Sequence, residues 1–154
     1  MTADPAVRPV SRWLTRARAW DVTLTIAAGG ALGALARYAV SLAFPHAPGT
    51  FPWATFAINV VGCLLIGSLM AVLTDFVGRP HRLVRPFLGV GVLGGFTTFS
   101  TYTVDVERLI WAGHPALALA DLLGTLAAAL LAVQLGIVAA RLLARPWTPR
   151  GTRP

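Results

Sequence analysis

The sequence predicts an all-α membrane protein with four transmembrane helices, the third of them broken near its middle. Two observations support this fold class. Hydrophobic residues make up 56% of the 154 residues and charged residues only 12%, whereas a soluble domain carries about 25% charged residues. Four apolar stretches, separated by proline and glycine, each reach the roughly 20 residues that a helix needs to cross a bilayer. The length allows a single domain.

The chain divides into two polar tails and one apolar domain. Residues 1–21 and 144–154 form Arg-rich tails that we expect to be loosely ordered, and residues 22–143 form the transmembrane domain. The predicted helices span residues 22–44, 52–73, 83–111 and 115–143. A basic segment before an apolar one is also typical of a secretory signal peptide. The three further apolar stretches favour a retained first helix.

The arginines indicate the orientation in the membrane. All 13 basic residues are arginine, and most lie in the tails or around the connection between the second and third helices (Arg8, Arg12, Arg16, Arg18, Arg79, Arg82, Arg85, Arg141, Arg145, Arg150 and Arg153). The other two connections contain none. The positive-inside rule therefore predicts that both termini are cytoplasmic and that the protein is a multi-pass protein of the cell membrane. This placement argues against nucleic-acid binding, which a net charge of +7 could suggest.

Small residues recur at four-residue spacing, which lets helix backbones approach closely in lipid. Gly29 and Gly33 share one helix face, and a second stripe runs along the last helix (Gly124, Ala128, Ala132 and Gly136). Four short helices enclose little volume. We therefore expect a tightly packed oligomer, most simply a dimer.

The third apolar stretch is interrupted by residues that favour a helix break. Its sequence there is Gly94-Gly95-Phe96-Thr97-Thr98-Phe99-Ser100-Thr101-Tyr102. Because lipid offers no partners for loose backbone groups, broken helices persist at membrane depth only where they are buried in protein or line a polar path. The break therefore predicts an ion or substrate site.

Several side chains near this break have two interpretations. Asn59 in the second helix either bonds across a helix interface or donates its amide protons to an anion. Phe96 and Phe99 either pack in a core or offer their positive ring edges to a small anion. Main-chain carbonyls at Gly94 and Thr97 could bind a cation instead.

Charged residues of the predicted spans also have two interpretations each. Arg37 is a snorkelling side chain or a partner of the acidic residues that follow the break, among them Asp105. Asp121 is a functional intramembrane acid or, as we favour, lies at the outer interface one turn before Thr125. The histidines are isolated, and the sequence contains neither a Ser-His-Asp spacing nor a phosphate-binding glycine loop. We therefore expect no enzyme.

Three motifs together resemble the CrcB/Fluc fluoride channel family. They are Gly29-Gly30-x-x-Gly33-Ala34-x-x-Arg37-Tyr38, Thr55-x-x-x-Asn59-x-x-Gly62, and the stretch from Gly94 to Thr101. The resemblance covers roughly residues 24–140. Its third motif is highly specific, and the other two would be weak alone.

The resemblance implies an antiparallel dimer with two pores that passively export fluoride. Asn59 would be the pore amide, Phe96 and Phe99 the edge-on phenylalanine box, and Thr125 would stand where many members carry a polar-track serine. Thr98 and Ser100 would line the same pore. Gly94 and Thr97 would hold a structural Na⁺ at the dimer interface, and Arg37 would be the arginine of the first helix. Gly33 would be part of the first motif.

Two residues depart from the family pattern. Asp121 stands where members often have tyrosine, and a carboxylate there would repel fluoride unless it were protonated or paired. Asp105 replaces the usual glutamate, which is a milder change. The strong arginine bias is also unexpected for subunits that insert in both orientations. We therefore hypothesise that the protein is either a homodimer or a heterodimer with an oppositely oriented paralogue.

Two other functions compete with the fluoride channel. A small dual-topology exporter of the multidrug type would need a glutamate inside the first helix, where this chain has only Asp21 at the edge. A non-conducting or partner-dependent subunit would keep the packing glycines but could lose pore residues. The presence of Asn59, Phe96 and Phe99 argues against it, while Asp121 keeps it open.

Overall fold

The computed structural model describes residues 12–144, and it is helical throughout its regular structure. Four helical stretches are long and apolar enough to span a membrane: Trp20–Ala43, Trp53–Phe76, Arg85–Trp111 and Pro115–Ala144. The predicted all-α class with four spans is confirmed. Of the two predicted tails, residues 1–11 and 145–154 lie outside the described residues.

The helix boundaries lie near the proline and glycine residues that separate the apolar stretches. Helix α1 is Arg12–Ala43, and it begins upstream of the predicted first span. Helix α2 is Trp53–Ala71 and continues as a wider π-helical turn, Val72–Phe76. A π-helical segment, Arg85–Leu93, leads into the short helix α3, Gly94–Phe96. Helices α4, Ser100–Trp111, and α5, Pro115–Ala144, complete the chain.

Helix α1 packs against the segment that runs from Arg85 through α3, and glycines make this contact close. A Cβ placed on Gly29 would lie 2.5 Å from the carbonyl oxygen of Phe87, and one on Gly33 would overlap the carbonyl oxygen of Val92. Only hydrogen fits at these positions, so the first glycine face predicted from the sequence is used inside the subunit.

The second close pair joins α2 to α5. A Cβ on Gly67 would overlap the Val133 carbonyl oxygen, and one on Gly136 would overlap the Leu64 carbonyl oxygen. Ser68 Oγ also donates a hydrogen bond to the Gly136 carbonyl at 3.2 Å. Part of the predicted stripe on α5 is therefore packed within the subunit. A Cβ on Gly124, by contrast, would meet nothing within 4 Å.

Polar contacts gather four chain segments at one end of the bundle. Arg82, in the connection after α2, pairs with Asp21 near the start of the first span. Arg141 Nε lies 2.7 Å from Asp75 Oδ2, which ties the end of α5 to the end of the second span. The arginine-bearing connection and the last helix therefore meet at the same end.

Much of the outer surface is apolar, as expected of a helix bundle that faces lipid or another subunit. Large hydrophobic side chains are exposed along α1 and α5, among them Leu24, Leu35, Leu42, Leu123, Leu131 and Leu135. The ring of Phe99, between α3 and α4, is 80% exposed.

Candidate functional site

The candidate site is built around an interruption in the third span. Helix α3 ends at Phe96, Thr97 is extended with φ −72° and ψ 158°, and α4 begins at Ser100. Thr97 donates twice to the Leu93 carbonyl, from its main-chain nitrogen at 3.0 Å and from Oγ1 at 2.9 Å. Gly94 and Gly95 are still helical, so the first residue outside the helix is Thr97, three positions after Gly94.

Thr98 lies two residues before α4 and bonds to its first turn. Its Oγ1 accepts a hydrogen bond from the main-chain nitrogen of Thr101 at 3.1 Å, which satisfies one of the free N–H groups at the start of α4. The same hydroxyl donates to Thr101 Oγ1 at 3.1 Å and lies 3.3 Å from Ser100 Oγ. Three hydroxyl groups are therefore joined at the interruption.

Asn59 on α2 fixes the main chain of Thr98. Its Nδ2 donates to the Thr98 carbonyl at 3.0 Å, and the Thr98 nitrogen donates to Asn59 Oδ1 at 2.9 Å. An amide carries two N–H donors, so one of them is not used by this pair. Asn59 is buried, which indicates that the amide satisfies backbone groups that the interruption leaves free.

A cavity of about 230 Å³ lies beside this amide. Its lining residues are Asn59, Cys63, Thr97, Thr98, Phe99, Tyr102, Thr125, Leu126 and Ala129. The structure therefore brings together four of the six predicted pore residues. Phe96, which is half-buried, and Ser100 do not line the cavity. Phe99 does, and its ring centroid lies 5.8 Å from that of Tyr102.

Arg37 reaches the same interruption from α1. Its Nε donates to the Gly95 carbonyl at 3.2 Å, and the side chain is half-buried. This carbonyl belongs to the last turn of α3, where carbonyl groups lose their helical partners and a cation is favoured. Arg37 is therefore bound to the main chain of the third span.

Asp105 is a buried residue of α4, with 2% of its surface exposed. Thr55 Oγ1 donates to its Oδ2 at 2.6 Å. Arg108 Nη1 and His46 Nε2 lie 3.6 Å and 3.9 Å from its Oδ1. His46, Asp105 and Arg108 border an open cavity of about 610 Å³ at the end of the bundle that carries the connection between α1 and α2. The predicted pairing of Asp105 with a neighbouring cation is present with Arg108.

Asp121 is enclosed within the bundle, and its location at the depth of the outer interface stays a prediction. Only 1% of its surface is exposed, because it faces the interior of the bundle. Thr125 Oγ1 donates to its Oδ1 at 2.8 Å, and within residues 12–144 its Oδ2 has no hydrogen-bond partner.

The structure adds two residues that the sequence did not single out. Tyr102 is buried, lines the cavity and donates its hydroxyl to the Leu122 carbonyl on α5. His46 approaches Asp105 from a connection. Tyr102 could have been found from its position one helical turn after Phe99. His46 could not, because its approach depends on how the connection folds.

These observations define a small multi-pass membrane protein whose polar groups converge at an interrupted helix, which is the arrangement of channels and transporters. The chain belongs to the CrcB family. Residues 24–137 match the family model described as "CrcB-like protein, Camphor Resistance (CrcB)". The family predicted from the sequence motifs is confirmed.

Curated relatives agree with this membership. Over 125 residues the chain is 56% identical to the "Fluoride-specific ion channel FluC 2" of Streptomyces avermitilis, covering 79% of this chain and 77% of that one. It is 53% identical over 131 residues to "Fluoride-specific ion channel FluC 1" of Streptomyces coelicolor, covering 85% and 82%. "Fluoride-specific ion channel FluC 3" of Streptomyces avermitilis is 48% identical over 121 residues, covering 79% of this chain and 59% of that one. Relatives with these names are ion channels, so the prediction that the chain is not an enzyme is confirmed.

Proposed function

We propose that this chain is a subunit of a fluoride-specific ion channel that passively exports F⁻ across the cell membrane. Family membership and the names of the relatives support the ion and the reaction class. In this proposal a negative cytoplasmic potential drives the anion outward, so no energy source is needed. Outward passage would lower cytoplasmic fluoride.

The observation that carries this proposal is the cavity beside Asn59. Its polar lining is neutral and consists of an amide and hydroxyl groups, beside the aromatic ring of Phe99. Such groups hold a small anion well enough for entry and loosely enough for exit. Asn59 retains an N–H donor beyond its contact with Thr98. In this proposal the interruption between α3 and α4 divides the third span at membrane depth.

Phe96 and Ser100 require the assembled protein in this proposal. Neither lines the cavity of the single chain, while Phe99 presents most of its ring to the outside. A second subunit that covers this face would complete each pore from both chains. This supports the proposed antiparallel dimer.

The structural Na⁺ of the proposal would be held by main-chain carbonyls of Gly94 and Thr97. Carbonyl oxygen is a ligand type that hard cations accept. Gly94 is exposed, and a Cβ there would meet nothing closer than the Gly89 carbonyl at 4.0 Å, so an ion or a second subunit can approach the backbone. The residues therefore fit the ion. Its charge would join subunits whose helix ends carry partial negative charge.

The partner subunit is either a second copy or an oppositely oriented paralogue. Arginine is concentrated in the two tails and around the connection between the second and third spans, and Streptomyces avermitilis has two relatives numbered FluC 2 and FluC 3. Both facts support a partner-dependent subunit as the second candidate. The positive-inside rule predicts cytoplasmic termini for this chain, which fits the heterodimer, because one copy of an antiparallel homodimer would have its termini outside.

Fluoride efflux from liposomes that contain only this purified chain tests the proposal. Rapid valinomycin-dependent release of fluoride, with chloride retained, is the expected result. Asn59→Asp should abolish it, because the carboxylate opposes both the anion and the Thr98 carbonyl. Ser41→Asp also introduces a carboxylate, at an exposed position at the end of the first span, and should retain release. Folded wild-type protein without release would reject the homodimer, and release restored by a co-expressed paralogue would establish the partner-dependent form.

A further inference from the structure

Asp121 and Thr125 form a hydrogen-bonded pair on successive turns of α5. Thr125 Oγ1 donates to Asp121 Oδ1 at 2.8 Å, and both side chains are buried, with 4% and 1% of their surface exposed. Of the two, only Thr125 lines the 230 Å³ cavity. Asp121 therefore does not line the cavity itself and contacts the cavity lining through its hydrogen bond with Thr125.

The direction of this hydrogen bond decides what the cavity meets. A hydroxyl group has one proton and two acceptor lone pairs. While Thr125 gives its proton to a carboxylate, it can present only lone pairs to the cavity, and lone pairs repel an anion. A protonated Asp121 can itself donate to Thr125 Oγ1, and then the hydroxyl proton of Thr125 is free to turn towards the cavity.

We propose that Asp121 is a positioning residue whose protonation reverses its hydrogen bond with Thr125 and thereby makes Thr125 a donor to fluoride. The channel then conducts better at low pH than at high pH. This inference rests on the proposed fluoride conduction, which it extends by a regulatory device specific to this chain.

Other titratable groups face Asp121 and must be separated from it. From α4, Asp105 and Tyr102 are close enough for electrostatic interaction, and from the connection before α2 so is His46. Helix α2 contributes the neutral Thr55, which donates to Asp105. The experiment therefore needs a variant of each candidate titrating group.

Valinomycin-dependent fluoride efflux is measured with equal pH on both sides, at about pH 5.5 and about pH 8.5, a window in which buried carboxyl groups can titrate. Release from protein-free liposomes is subtracted, because neutral hydrogen fluoride crosses lipid. The wild-type chain should release fluoride about tenfold faster at the lower pH, which corresponds to the gain of one hydrogen bond. Equal rates at both pH values would overturn the proposal.

Three variants assign the effect. Asp121→Asn can donate its amide proton to Thr125 at every pH, so release should be fast and independent of pH. Thr125→Val removes the hydroxyl group, so release should be slow and independent of pH. Asp75→Asn alters a partly exposed carboxylate that pairs with Arg141 far along the chain, and the wild-type profile should remain. A wild-type pH profile in Asp121→Asn would overturn the proposal.

His46→Gln and Asp105→Asn address the neighbouring groups. Each should leave a pH-dependent step in the efflux rate, although its midpoint can move. Loss of the step in His46→Gln, together with its persistence in Asp121→Asn, would assign the titration to His46 and overturn the proposal.

An infrared titration provides a readout that does not depend on conduction. The carboxylic-acid carbonyl band that Asp121→Asn removes should grow as the pH falls through the same window. A wild-type protein that shows this titrating band but no efflux would reject the proposed function and retain the hydrogen-bond reversal. Absence of any Asp121-dependent band across the window would overturn the reversal itself.

Discussion

Arg37 on α1 donates a hydrogen bond to the carbonyl oxygen of Gly95 across 58 residues of sequence, with Nε and oxygen 3.2 Å apart. This contact joins a charged side chain to a main-chain group just before the third span leaves its helix. Two glycines of the same helices make the approach possible, since a Cβ on Gly95 would overlap the Gly30 carbonyl. The first motif of the sequence and the interruption therefore form one structural unit.

Replacing Arg37 should destabilise this unit. Arg37→Ala removes a charged donor from a helix end and should lower the free energy of unfolding by about 1.5–3 kcal/mol. Arg37→Lys keeps the charge but loses the guanidinium geometry, so an intermediate loss is expected. Thermal unfolding in detergent measures both. The control is Arg79→Ala, an exposed arginine in the connection after α2. Unchanged stability of Arg37→Ala would contradict the structural role of the contact.

A methyl group at Gly33 should separate α1 from the third span. Its Cβ would overlap the Val92 carbonyl and lie 2.7 Å from the Phe96 nitrogen. Because both are backbone atoms, they cannot move aside cheaply, and a loss of at least about 1–3 kcal/mol is expected for Gly33→Ala. Gly30→Ala is the matched control, since its Cβ would meet nothing closer than 4.0 Å. Equal melting temperatures for the two variants would refute this packing.

Thr55 should matter through its hydroxyl group alone. Thr55→Val removes the donor to Asp105 Oδ2 and leaves a buried carboxylate oxygen without that partner, a change worth about 1–3 kcal/mol. Thr55→Ser retains the hydroxyl group and should lose much less. Thermal unfolding without denaturant gives the melting temperatures of both variants. A serine variant as unstable as the valine variant would show that the methyl group, rather than the hydrogen bond, is important.

Removal of sodium should weaken the assembled protein if the proposed ion is bound. Exchange of Na⁺ for a large organic cation should lower the melting temperature, and restoring Na⁺ should reverse the change, because a ligand that binds only the folded state stabilises it by mass action. Addition of K⁺ at equal ionic strength controls for a general salt effect. A melting temperature indifferent to Na⁺ would argue against the carbonyl site at Gly94 and Thr97.

The sequence predicted the helical class and the four spans because both depend on the local count of apolar residues. It also marked Asn59, Thr98, Phe99 and Thr125, which the folded chain brings to one cavity. Glycines marked the interruption only approximately. Gly94 and Gly95 remain helical, Gly95 allows close packing against Gly30 of α1, and the helix ends where Thr97 takes an extended conformation.

Other features could not be predicted because they depend on tertiary packing. The sequence did not indicate which side chains surround Asp121. Its enclosure depends on where α2 and α4 cover α5. The approach of His46 to Asp105 likewise depends on the path of a connection. In both cases a side chain that looked isolated in the sequence has partners distant along the chain.

The pairing of helices described above fixes an order for folding in the membrane. Helix α1 packs closely on the segment that begins at Arg85, and α2 packs closely on α5. The two pairs interleave along the chain, so neither α1 nor α2 packs mainly on the helix that follows it in the sequence. During synthesis the first two spans are therefore inserted into the bilayer independently, before the segments that they pack against have been made. A ribosome that stalls before Pro115 would leave α2 with an uncovered glycine face, open to quality-control proteases or to a wrong helix.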